Sequence, residues 1–467
     1  MDNRLPLTRR SFLHRGAVTG VALGSASAIA GCATSGGGGN KSVGHKSVTS
    51  NNPFGVKADA PLAVDVFKGG DGDAFARYDV TMYQAKFPKA QVAYRADPGI
   101  EAILQKAFVQ GKPPDVGPTT SDFINLIADH QVTDLAGLLD APAFDTPDKT
   151  VRQTLLPHTV ETGTYDKATY VLNYNSEVFG NWYSKPLFDK HGWEYPKTWD
   201  EMIALCATIK KAGVAPWTFQ GKYPGYTLSP ILTMAAKAGG PEVLTSIDSL
   251  EPNAWKADSV ISAATAFQEI VTKKYILPGS AGLTHTQSQL YWTQGKAAFI
   301  PCGSWLENEM STITPKGFGM VLGPTPSLSS SDKMPFEAIQ AGPAGGWIVP
   351  AQAANKYGGY EFLRIMLSRK ASTEYSKLTH SLTTVQGYAD ELSISSGFDS
   401  SRDAIRVAGA NAVTWRFGAW YPQLETAVEN ATGELMAGRI DAGQWATRCQ
   451  KGADAIAKDS SVKKYTD

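Results

Sequence analysis

Several aromatic residues of this 467-residue chain stand where a ring can be presented rather than packed. Trp305 in "PCGSW" and Trp347 in "AGGW" each follow small residues at the edge of an expected strand, where glycine permits close approach. "WTFQGKYPGY" sets Trp217, Phe219, Tyr223 and Tyr226 among Gly and Pro after another strand. A loop that rich in rings lines a pocket more readily than it stands in water, so Tyr223 and Tyr226 are candidate contacts and Trp217 is expected in the core. "TWRFGAWYP" adds Trp415, with Trp420 packing ahead of a helix. Polar groups accompany the rings. Asp71 and Asp73 in "KGGDGD" occupy the first strand-to-helix loop, where each can accept hydrogen bonds from a ligand or cap the helix. Thr119, Thr120 and Ser121 follow "PDVGP" and supply hydroxyls, one of which is expected to be the next N-cap. Flat rings beside carboxylates and hydroxyls suit a small molecule with an apolar face and a polar rim.

Other chemistries find little support. There is no G-x-S-x-G, H-E-x-x-H or P-loop pattern, and the seven histidines are scattered. A calcium loop opening at Asp71 fails, because its sixth and twelfth positions are Ala76 and Met82. A hydrolase acting through two carboxylates has candidates in Asp71 and Glu307, but nothing in the sequence pairs them. Cys206, Cys302 and Cys449 lack metal-ligand spacing. Cys206 and Cys449 lie on apolar helical stripes and read as small buried hydrophobes, with a Cys206–Cys449 disulfide as the alternative. Cys302 has no neighbouring base and reads as structural. No catalytic residue, cofactor or metal is expected.

The elements that must position these residues alternate. "APLAVDVFKGG" is a strand, a helix covers roughly Phe75 to Phe87, and "AQVAYRAD" is a second strand. "GIEAILQKAFVQG" is a helix stopped by Gly111, followed by a short strand at "DVG". "YVLNYNSEVF" begins the pattern again. Thr198 and Glu201 form a capping box ahead of Met202, Leu205, Cys206 and Ile209, and Gly213 stops that helix. Strands follow at "KAAFIPC", "GFGMVLG" and "GGWIVPA". The C-terminal part is helical, with Leu424, Val428, Ala431 and Leu435 on one face and Asp441 paired with Gln444 at a second capping position. The class is therefore α/β, with helices covering mainly parallel sheets in two lobes. Such sheets bind ligands at loops beyond the carboxyl ends of their strands.

The first 31 residues stand apart. Arg9 and Arg10 precede a weakly apolar run from Gly16 to Gly31, shorter than the roughly 20 apolar residues a membrane span needs. "TRRSFL" resembles a twin-arginine export signal and "IAGC" a lipobox, which implies cleavage before Cys32 and lipid attachment to its sulfur. Ala33 to Asn52 is rich in Gly, Ser and Asn and is expected to be a flexible tether. The chain holds 44 basic and 44 acidic side chains; the leader takes four arginines and one aspartate, leaving 40 against 43. That balance gives no reason to expect nucleic acid.

"LNYNSEVF", "PKTWDEM", "GKAAFIPCGSW" and the terminal "WYPQL…LMAGRIDAGQW…CQKGADAIAKD" occur in this order behind the leader. In this the chain resembles the extracellular solute-binding proteins (family 1, maltose-binding-protein-like) of carbohydrate ABC importers. "VFKGGDGDAFARYDV", "GGWIVP" and "TWRFGAWYPQL" are similar to the actinobacterial lipoproteins that bind N-acetylglucosamine and N,N′-diacetylchitobiose. The resemblance implies a two-lobed periplasmic-binding-protein-like (type II, Venus flytrap) fold with a cleft between the lobes. It implies a leader at 1–31, a tether at 32–58, a first lobe from 59–172 and 323–365, and a second from 173–322 and 366–467. It makes Trp305 and Trp347 cleft aromatics and sets Asn173 and Asn175 beside the first hinge crossing as ligand contacts. The implied activity is capture of a small carbohydrate by hinge closure and delivery to the transmembrane subunits of an ABC permease. The protein is expected to act as a lipid-anchored monomer on the outer face of the cytoplasmic membrane. An oligosaccharide of another kind (maltodextrin, xylo-oligosaccharide), a peptide, or a surface glycoside hydrolase are the alternatives.

Overall fold

A computed structural model describes residues 48–465. The expected leader and Cys32 lie outside the described residues. Strand β1 (Leu62–Phe67) pairs in parallel with β2 (Val92–Asp97), and the helix Ala74–Lys86 crosses between them. β1 buries Leu62, Val64 and Val66, and the helix answers with Phe75, Ala76 and Tyr83. The long strand β3 (Leu172–Ser184) is the spine of an eight-stranded sheet with β4 (Ala215–Trp217), β5 (Ala297–Gly303), β6 (Met320–Gly323) and β7 (Ile339–Ile348). Along Leu172 to Phe179 it pairs antiparallel with β7; from Phe179 onward it pairs with β5, and from Asn181 with β6. Its two faces differ, as strand geometry dictates. Tyr174, Ser176 and Val178 are buried on one, while Asn175, Glu177 and Phe179 on the other remain partly open.

Among the described residues the apolar side chains gather in three clusters. One surrounds β1 and includes the helices Lys356–Met366 and Arg369–Thr379, reaching Phe398. The largest packs the helices Trp199–Lys211, Gly225–Gly239 and Asp258–Thr272 against the C-terminal pair Pro422–Met436 and Ala442–Lys458. The third, with Val178, Trp182, Ile300, Cys302 and Leu306, lies around the middle of β3 and β5.

Two expected boundaries fall inside packed structure. The helix Arg369–Thr379 is capped by Ser368 and sends Tyr375 edge-on against Phe75 and Tyr174, so the chain beyond 365 belongs to the β1 core until Phe398. The tether ends before 58. Asn52 exchanges two 3.0 Å hydrogen bonds with Val56, and Phe54 is buried edge-on against Tyr360. Both expected capping boxes form, at Thr198–Glu201 and Asp441–Gln444. Gly111 and Gly213 take left-handed φ values of 65° and 83° where their helices stop. Cys206, Cys302 and Cys449 are buried and free, so the alternative disulfide is not formed. Among the described residues no helix is long and apolar enough to cross a membrane.

Candidate functional site

β1 ends at the loop Lys68–Asp73, which closes as a turn with the Gly72 amide on the Gly69 carbonyl at 2.9 Å. Gly72, at φ 67°, separates the two aspartates. Asp71 turns inward. Its Oδ2 accepts from the Tyr375 hydroxyl at 2.7 Å and the Asn175 amide at 3.2 Å, and its Oδ1 accepts from Ser381 at 3.0 Å. Burial pushes its carboxyl above the ordinary range, partly offset by the Tyr375 and Ser381 bonds. Asp73 turns away and pairs with Lys68 at 3.2 Å and Arg77 at 2.9 Å, with Tyr94 donating at 3.1 Å. Burial acts upward on Asp73 too, but the bonds from Lys68 and Tyr94 and the charge of Arg77 win and hold it below its usual value.

The open face of β3 supplies Asn175 and Glu177 beside Asp71. Burial, and the negative charge of Asp71, push Glu177 from 4.5 up to about 7. β7 runs alongside with Gly345 at φ 63°; a Cβ there would meet the Asn175 side chain at 2.8 Å. Trp347 follows, 5% exposed, with its ring tilted against Phe362 and part of it on the cavity wall. Opposite stands Trp305, just beyond the end of β5. A Cβ on Gly303 would meet its ring at 2.0 Å, and one on Gly70 would meet it at 2.9 Å, so two glycines let the indole lie flat on backbone. Phe179, Tyr226 and Trp305 meet edge-on with centroids 5.8, 5.9 and 6.0 Å apart. His285 stacks on Tyr226 and shares a 3.2 Å contact between its Nε2 and Glu309 Oε1. Glu309 Oε2 is buried without a hydrogen-bond partner. The Asn308 amide donates to the Gly70 carbonyl at 2.6 Å and ties the Trp305 side to the β1 loop.

These groups enclose a cavity of about 600 Å³, inside the range of about 300–1,000 Å³ usual for small-molecule sites. Of the candidates, Asp71, Thr119, Asn175, Tyr223, Tyr226, Trp305 and Trp347 line it. The other five do not. Asp73 is held by its cations. Thr120 donates to Asp122 at 2.7 Å, and Ser121 donates from its amide and hydroxyl to Glu101. Asn173, two residues before Asn175 on β3, donates its amide to Thr162 at 3.0 Å. Trp415 packs on the large C-terminal cluster. Asp122, rather than any of the three hydroxyl residues, precedes the helix Phe123–Ala128. Trp217 and Trp420 are buried, as expected.

Further lining residues carry weaker signals: Phe67, Glu101, Glu177, His285 and Glu309. Glu177 is legible as the residue two after Asn175 on the same strand face. Glu309 lies one helical turn after Trp305, its amide bonded to the Trp305 carbonyl at 3.0 Å. His285 comes from the start of a separate helix, His285–Thr293, and only the tertiary fold brings it here.

A family model described as bacterial extracellular solute-binding protein matches residues 69–373. The chain is 32% identical over 467 residues to the diacetylchitobiose binding protein NgcE of Streptomyces coelicolor, covering 98% of both. It is 22% identical over 339 residues to a multiple sugar-binding protein of Streptococcus mutans, covering 68% of this chain and 74% of that one. Among solved structures, a chitin oligosaccharide binding protein superposes with a TM-score of 0.69 at 18% identity, covering 85% of this chain and 99% of that one. The solute-binding protein RafE in complex with raffinose superposes equally, at 0.69 and 17% identity, over 85% of this chain and 99% of its own. At these identities the structural likeness speaks for the fold.

Proposed function

The chain belongs to the bacterial extracellular solute-binding proteins, and from that premise we propose that it captures a sugar for an ABC importer and passes it to the membrane permease. The sugar we favour is N-acetylglucosamine or N,N′-diacetylchitobiose. The observation that carries this is the pairing of an aromatic wall (Trp305 and Tyr226, backed by Phe179) with the anchored carboxylate of Asp71 in a cavity of about 600 Å³. A pyranose presents a C–H face to the rings and hydroxyls to Asp71, Asn175 and Thr119. The relative that binds diacetylchitobiose, matched along nearly the whole chain, supports the choice of sugar. Capture proceeds by closure of two lobes about the crossings at β3 and β7. The Asn308–Gly70 hydrogen bond supports this reading, since it links the Trp305 side of the cavity to the β1 loop. Export through the twin-arginine route, a lipid on Cys32 and action as a monomer complete the reading. No chemistry on the sugar is part of it.

Tryptophan fluorescence and calorimetry with N-acetylglucosamine, N,N′-diacetylchitobiose, maltose and xylobiose test this. Saturable binding of the first two and not of maltose is expected. Binding of maltose or xylobiose alone replaces the favoured sugar, and silence toward every sugar overturns the reading.

A further inference from the structure

The charges on the cavity wall are of one sign. Asp71, Glu101, Glu177 and Glu309 line it, and among the described residues His285 is the sole lining residue that can become a cation. Lys68 and Arg77, which flank the β1 loop, are both committed to Asp73 outside the cavity. A fully acetylated sugar is neutral and needs hydrogen-bonding oxygens, which serine, asparagine or threonine supply without charge. Here the acceptors are carboxylates: burial, with a smaller push from the charge of Glu309, disfavours ionisation of Asp71, and burial together with the charge of Asp71 does the same to Glu177. Asp71 is locked by three donors, so it cannot swing out to water. Glu309 keeps one oxygen on His285 and leaves the other buried with no partner. Such an arrangement is relieved by a cation with several N–H donors. The rings beside it also favour a cation over their faces.

We propose that the sugar this cavity selects carries a free ammonium group, held among Asp71, Glu177 and Glu309 while its ring lies against Trp305 and Tyr226. The ligand class is an amino sugar that has lost its acetyl, alone or as one unit of a partly deacetylated disaccharide. The inference rests on the sugar-binding reading above and narrows it.

Calorimetry on the purified protein at pH 6.5, with the amine protonated, compares N,N′-diacetylchitobiose, its mono-deacetylated form and the fully deacetylated disaccharide. At least tenfold tighter binding of a deacetylated form is expected, with the ratio falling below threefold in Glu309→Gln. In the unmodified protein the preference also disappears at pH 9.5, where the amine is neutral, so the test does not depend on the variant folding. Equal or tighter binding of the diacetyl form overturns the inference and leaves the sugar reading intact. A preference that survives both Glu309→Gln and pH 9.5 overturns it too, and no binding by any of the three overturns the sugar reading with it.

Discussion

Replacing Glu177 by glutamine isolates the cost of keeping a carboxylate on the cavity-lining face of β3. In the folded protein burial and the charge of Asp71 raise this group from 4.5 to about 7. A carboxyl whose folded pKa lies above its unfolded one favours the fold fully below pH 4.5, and that contribution is lost as pH rises through about 7. The shift corresponds to about 3 kcal/mol of lost stability at pH 8, taking ~1.36 kcal/mol per unit, and to almost none at pH 4. Glutamine fills the same space without ionising, so Glu177→Gln should be the more stable protein at pH 8 and equal to the parent at pH 4. With an unfolding entropy of ~2.1 cal/mol/K per residue, the gain raises the thermal midpoint by about 3–4 °C at pH 8. Differential scanning calorimetry at several pH values reads this directly. A gain of the same size at both pH values, or a loss at pH 8, refutes the assignment of a costly carboxylate to this position.

Trp305→Ala should weaken sugar binding more than tenfold, read by calorimetry, with the circular dichroism of the fold unchanged. Gly303→Ala should do nearly as much, because its new methyl would meet the indole at 2.0–2.6 Å and displace it; full affinity in that variant means the ring does not rest where the ligand lies. Cys206, Cys302 and Cys449 are buried and free, and burial pushes Cys206 up to about 12. A thiol reagent at pH 8 should therefore label none of these three until denaturant is added, and labelling of any one in the folded protein refutes its burial.

Helices and their ends were legible because their causes are local. Thr198 with Glu201, Asp441 with Gln444, and Gly111 and Gly213 act within one turn of chain, and each does in the structure what its neighbours require. The Trp305 side of the cavity was legible for a related reason, since its ring lies against Gly303 where a Cβ would meet it at 2.0 Å, and "CGSW" states this in four letters; the glycines of "AGGW" instead make room for Asn175, Val171 and Thr119. Polar partners follow no such rule. Asp71 and Asp73 are two residues apart with the same side chain, yet one faces the cavity and the other a pair of cations, because Gly72 between them is left-handed. The groups that decide between them, Tyr375 and Ser381, lie some 300 positions away in a segment that packs into the β1 core. Once that segment joins the β1 core, its assignment and that of Asp71 become one question. Tyr375 packs its ring on Phe75 and Tyr174 and spends its hydroxyl on Asp71, so the apolar contact that holds its helix to the β1 core also aims the carboxylate. Tyr375→Phe separates the two: it keeps the packing, removes one of three donors from Asp71, and leaves the lobe folded around a less firmly held carboxylate.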